Sequence, residues 1–252
     1  MVTSGHIIGF ELKRLVRCKV IACCVGAFVL YGIAALVFLT QAAARPGVTA
    51  GNAALYIEGM LCCQLSVFTI GVLAVYCFAN VTANGEHLFL EQMGVPLKKV
   101  VWARLALLSI VCTLSIVLLF SITALCLSTE MQTLISVAAI SVISVLDTIL
   151  LGCLIGYISK NGFVGAFAIF AVAIVSSFIN TVVSGLFLQF DSNSLTAQTL
   201  SFLTGWEQQS ICVFGFDLSS VALPLALSLE LVWLVVLVAL VWVALRRGSR
   251  LN

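Results

Sequence analysis

LKRLVRCKVIACCVGAFVLYGIAALVFLTQAA, Leu12–Ala43, sets four cations at Lys13, Arg14, Arg17 and Lys19 directly before an uninterrupted apolar run. A helix needs roughly 20 residues to cross about 30 Å of hydrocarbon, and the run is long enough to do so. A secretory signal has an apolar region of about 7 to 15 residues, so this one is expected to stay as an anchor. The whole chain follows the same pattern. Of its 252 residues 62% are hydrophobic and only 9% charged, with a mean hydropathy of +1.23, which is far too much apolar side chain for a water-soluble core.

Further runs of spanning length lie at Tyr56–Phe78, Leu105–Leu127, Thr133–Ile158, Phe163–Leu188 and Val221–Leu245, which with Val20–Ala43 makes six. The expected fold is all-α, a polytopic membrane protein forming one transmembrane domain over residues 1–252. Lys98, Lys99 and Arg104 fall between the second and third runs, Lys160 between the fourth and fifth, and Arg246, Arg247 and Arg250 after the sixth. Arg45 alone falls on the opposite side. Basic residues in short loops stay in the cytoplasm, so both termini are expected there. The outer connections carry Glu130, Asp191, Glu207 and Asp217 instead.

Residues 1–19 carry their own helical pattern. Ile8, Leu12, Leu15 and Val16 recur on one side and Lys13, Arg14 and Arg17 on the other, the signature of an amphipathic helix lying in the headgroup layer. The connection 79–104 contains NGEHLFLEQMGVPLKKVVWAR, Asn84–Arg104. Asn84 suits an N-cap for a short helix over 85–93, Gly94 suits its end, and Pro96 suits the first turn of the next helix. Helix, corner and helix make a protruding hook. Its Asn84, Gly85, Glu86, His87, Phe89, Leu90, Glu91 and Met93 mix acids with apolar knobs, as a protein-docking surface does. On the other side, 189–220 is long and apolar: Ser194 can cap a helix through Leu195, Thr199, Leu203 and Trp206 that ends at Gly205, giving a lid or re-entrant segment.

Eight of the ten cysteines lie inside the expected spans, none in a C-x-x-C, and read as small buried apolar residues. His6 and His87 are the only histidines and stand in no zinc-binding spacing; no metal or cofactor site is expected. None of the five lysines sits in G-x-x-x-x-G-K-[ST], so the chain is not expected to hydrolyse a nucleotide. Acids within spans remain: Asp147 in the fourth and Glu230 in the sixth are candidates for a substrate or proton pathway, while Glu58 is expected near enough the outer surface to snorkel. Ser144, Thr148, Gly152 and Gly156, four apart, clear one face of the fourth span for close packing, within this chain or against a second copy.

Taken together, GFELKRLVRCK near the start, the six spans, the hook after span two and the long apolar connection between spans five and six resemble the permease subunits of type 2 ABC exporters. In particular the chain is similar to the small ones associated with bacterial peptide, lantibiotic or antibiotic efflux and self-immunity. The resemblance implies a separate cytoplasmic ATP-binding subunit docked on the hook, a second permease copy or a related permease, residence in the bacterial cytoplasmic membrane, and re-entrant helices from 189–220 closing the route outside. No nucleic-acid partner is implied. A proton- or cation-coupled secondary transporter using Asp147 and Glu230 and a non-transporting membrane immunity protein are the competing readings.

Overall fold

The structure, a computed structural model, describes residues 4–42, 48–83, 86, 90, 92, 94–183, 185–188, 190–191, 194–206, 212–213, 216–217 and 221–248. Its helices are α1 (Ser4–Arg17), α2 (Val20–Ala42), α3 (Ala50–Met60), α4 (Val72–Ala83), α5 (Leu97–Cys126), α6 (Met131–Ser159), α7 (Gly162–Val182), α8 (Leu195–Leu203) and α9 (Ala222–Gly248). Among the described residues six spans, with α3 and α4 joined as one, are long and apolar enough to cross a membrane. That marks a multi-pass membrane protein. Six crossings return the chain to the end of the bundle it left; that end, carrying α1 and the C-terminus of α9, is called the near end below. A two-residue antiparallel pair, β1 (Cys212–Val213) with β2 (Phe216–Asp217), adds a short ladder to an otherwise helical fold.

The second span departs from its expected bounds. It begins at Ala50, where the Thr49 hydroxyl accepts from the Asn52 N–H, and continues to Ala83 through two π-helical turns, Leu61–Leu65 and Val67–Gly71. A π turn leaves a carbonyl without its usual i+4 donor. Here the Thr69 hydroxyl donates to Leu65 O at 3.0 Å, while Tyr31 of α2 bonds to the same hydroxyl from outside. Ser66 meets Thr148 of α6 at 3.2 Å. The early start places Glu58 two turns inside the helix, where it is buried and accepts from the Thr123 hydroxyl at 2.6 Å rather than snorkelling to the surface.

α6 is the central helix, packed on α3, α4, α5, α7, α8 and α9. Lipid tails are as apolar as leucine, so helices in a bilayer associate through close packing and buried hydrogen bonds instead of the hydrophobic effect. The small-residue seam supplies that packing inside the chain. A Cβ on Gly152 would stand 2.7 Å from both Ala74 Cβ and Gly71 O, and one on Gly156 would stand 2.5 Å from Val75 O, so α6 lies directly on the second span's backbone. α6 then stops at Lys160, which takes a left-handed φ of 51°, and Asn161 opens α7 by accepting from the N–H groups of Phe163 and Val164. Of the eight cysteines within spans, Cys23 and Cys126 are exposed on their helices, contrary to the expectation that all eight are enclosed.

The fifth span ends at Val182, short of the expected Leu188, because Asn180 folds the chain back. Its side-chain amide donates to Leu188 O (2.9 Å) and Asp191 (2.6 Å), and its carbonyl accepts from the Phe187 N–H (2.8 Å). Ser176, one turn deeper, also donates to Leu188 O. The returning segment leads into α8, capped by Ser194 accepting from the Ala197 N–H and followed by Gly205 at φ 67°. Leu195, Thr196, Thr199 and Leu200 of α8 are wholly buried, and α8 packs among α3, α6 and α9.

Candidate functional site

Two clusters of buried charge stand apart from the packing. The first lies at the near end, where α5 starts. Arg104, only 2% exposed, donates from Nε to Glu11 Oε2 (2.7 Å), from Nη1 to Cys77 O (2.7 Å) and from Nη2 to Glu86 Oε1 (3.2 Å). Arg14 pairs with the same Glu86 oxygen. Two cations and two carboxylates thus tie α1, α4, the turn containing Glu86 and the base of α5 into one unit. Planar guanidinium suits this task, since its donors fork toward several acceptors at once. Burial, followed by the neighbouring Arg104, holds Arg14 below the ordinary arginine pKa.

Local sequence explains how the knot assembles. Ile7, Glu11 and Leu15 recur every four residues and form the buried stripe of α1. Ile8, Phe10, Leu12 and Val16 are exposed and form the apolar outer face. Leu15 therefore turns inward, not outward with its expected companions. In the hook, Glu86, Leu90 and Gln92 are helical, Gly94 adopts φ 68°, and the Val95 N–H bonds back to Leu90 O at 2.9 Å to close the corner. α5 begins at Leu97, with Pro96 at its cap.

Two residues assigned to the docking surface face the chain itself. Leu90 is buried with Ile7 and Val100, and Glu86 is drawn to Arg104 and Arg14. The others, Asn84, Gly85, His87, Phe89, Glu91 and Met93, lie outside the described residues. Gln92 is exposed.

The second cluster occupies the bundle centre. Asp147 of α6 and Glu230 of α9, 2% and 0% exposed, lie side by side. Thr196 of α8 donates to Glu230 Oε1 at 2.8 Å. Asp147 Oδ1 and Glu230 Oε2 are shut off from solvent and find no hydrogen-bond donor among the described residues. The site therefore brings together the two acids that the sequence pattern marks separately, and adds Thr196 of α8, which that pattern does not mark. Among the described residues no three His, Cys, Asp or Glu side chains converge as a metal-binding group.

No protein-family model, no curated protein and no solved structure matches the chain.

Proposed function

We propose that the chain is the membrane-spanning subunit of an ATP-driven exporter whose ATPase is a separate cytoplasmic protein. The observation that carries this reading is the Arg104 knot. A loop that merely joined two spans would have no need of four paired charges, Glu11 and Arg104 among them fully buried, locking it to α1 and α5, whereas a handle that must transmit force does. The near end faces the cytoplasm in this reading, because the cations at 13, 14, 17, 19, 98, 99, 104, 160, 246 and 247 all belong to it. α1 lies in the headgroup layer, its exposed Ile8, Phe10, Leu12 and Val16 against lipid.

Closure of an ATPase pair on ATP pushes the hook, and the knot passes that displacement to α1, α4 and α5 as one rigid body. Two permease copies or two related chains flank the route, in the bacterial cytoplasmic membrane, and α8 with its flanking turns serves as the outer closure. An aliphatic and aromatic interior fits an amphipathic peptide, antibiotic or lipid-like cargo. A substrate moves outward only if the inward and outward states bind it differently. Gentle purification from native membranes should bring an ATP-hydrolysing subunit through two successive columns in constant ratio to the chain. A chain that emerges with no ATP hydrolysis, from membranes where it is functional, counts against the proposal.

The acid pair favours a second reading, a proton-coupled secondary transporter. Asp147→Asn and Glu230→Gln decide between them. In liposomes holding a pH-sensitive dye and an imposed pH gradient, the exporter reading expects no proton flux from the wild-type chain. The secondary transporter expects a flux that each variant abolishes.

A further inference from the structure

A groove of about 460 Å³ opens on the side of the bundle between α2 and α5, with α3 as its floor. Its size falls within the range of small-molecule sites, roughly 300–1,000 Å³. Val29 and Ile33 of α2 and Leu118 and Ile122 of α5 form its rim, each more than half exposed or close to it on a helix that crosses the membrane, so the mouth faces lipid. From Val25 to Leu36 the α2 wall rises about 16 Å, the length of an extended alkyl tail. Such a wall would be unremarked lipid contact but for its floor. Glu58 lines it, 97% buried by its 3% exposure, about 12 Å inside the start of α3. One carboxyl oxygen accepts from Thr123; the other, Oε2, is sealed from solvent and has no hydrogen-bond partner among the described residues.

We infer that this groove is a binding site for a single-tailed amphiphile whose head is an ammonium group, taken laterally from the membrane. The tail lies between α2 and α5, and a rotation of the Glu58 side chain toward the groove lets the ammonium donate to its carboxylate, a charge-assisted bond in a place where water offers little competition. Charge excludes the commoner occupant. Among the described residues no Lys, Arg or His lines the groove, so the phosphate of a phospholipid would sit beside a carboxylate with none of them to neutralise it. A fatty acid fails for the same reason. The site stands independently of the ATPase proposal, since it needs only the folded chain in a bilayer.

The test uses the full chain in phosphatidylcholine nanodiscs and three photoreactive probes carrying the same diazirine-bearing tail: a long-chain primary amine, the corresponding fatty acid, and a phosphatidylcholine. Mass spectrometry maps where each attaches. The amine is expected to label the facing sides of α2 and α5 saturably, and the other two probes to label the outer helix faces evenly. Glu58→Gln, which keeps a partner for Thr123, should lower amine labelling of the groove about tenfold, the weight of one charge-assisted hydrogen bond. Leu118→Trp, at an exposed rim position, should block the groove without touching Glu58. Equal labelling of the groove by the phosphatidylcholine probe would make it an ordinary lipid contact, and unchanged amine labelling in Glu58→Gln would remove the acid's role. Protection from all three probes, with Leu118 crosslinking between chains, would assign the groove to a second copy. Each of these three results overturns the inference.

Discussion

Arg104→Met should destabilise the chain by about 3–5 kcal/mol, the cost of removing one partner from a buried ion pair and leaving the other charged and alone. Methionine keeps much of the side chain's volume, so the loss is electrostatic more than steric. Glu11, with no exposed surface, would be stranded beside Cys77 O, which itself loses a donor. Glu86 would fare better, because Arg14 still reaches it. The double variant Glu11→Met with Arg104→Met removes both charges and should recover more than half of the loss, since a neutral pair of similar volume costs far less than one unpaired ion. Unfolding in mixed micelles, followed by tryptophan fluorescence, measures both; Trp102 lies two residues from the knot. A single variant within about 1 kcal/mol of wild type would mean that water reaches Arg104 freely, contrary to its burial.

The other large effect comes from the α6 seam, where two terms of opposite sign compete. Gly to Ala within a helix is worth up to about 1 kcal/mol of added stability from backbone entropy alone. At Gly156 the new methyl would stand 2.5 Å from Val75 O and 3.1 Å from Ala79 N. Backbone atoms of a packed helix cannot rotate aside as a side chain can, so α6 must separate from α4, and overpacking of this kind costs about 1–3 kcal/mol. The clash should win, and Gly156→Ala should destabilise. Gly152→Ala, facing Gly71 O and Ala74 Cβ at 2.7 Å, should do the same. Gly26 in α2 is the internal control: a Cβ there meets nothing within 4 Å, so Gly26→Ala should be neutral or stabilising in the same unfolding measurement. Equal effects at 26 and 156 would show that propensity, not helix contact, governs the seam.

The spans and the seam were legible because both depend on periodic patterns of apolar or small side chains, which a helix displays directly. Ser194 and Gly205 were legible too, since a cap and a left-handed stop are local requirements of one helix. Pairings between distant residues were not. In the sequence Arg104 stands out only as one of the cations that orient the chain, and Glu11 only as part of ELKRL, although they lie 93 residues apart and meet at 2.7 Å. A signal was present: Glu11 shares a four-residue stripe with Ile7 and Leu15, and an acid on a buried stripe requires a donor from elsewhere. Glu58 depends on the helix boundary, since a span drawn from Tyr56 puts it at the surface and one from Ala50 puts it inside. Asn180 was unreadable for a different reason. A single polar residue near a span's end gives no hint that its amide will hold three later backbone and side-chain groups and turn the chain inward.

A photoreactive side chain at Gln92, an exposed described position of the hook, tests the central claim most directly. In native membranes it should capture an ATP-binding subunit, with a yield that changes when ATP is trapped by vanadate, and the capture should fall in Arg104→Met chains that have been confirmed to insert. Capture of lipid or of the chain alone, unaltered by ATP, would contradict the account.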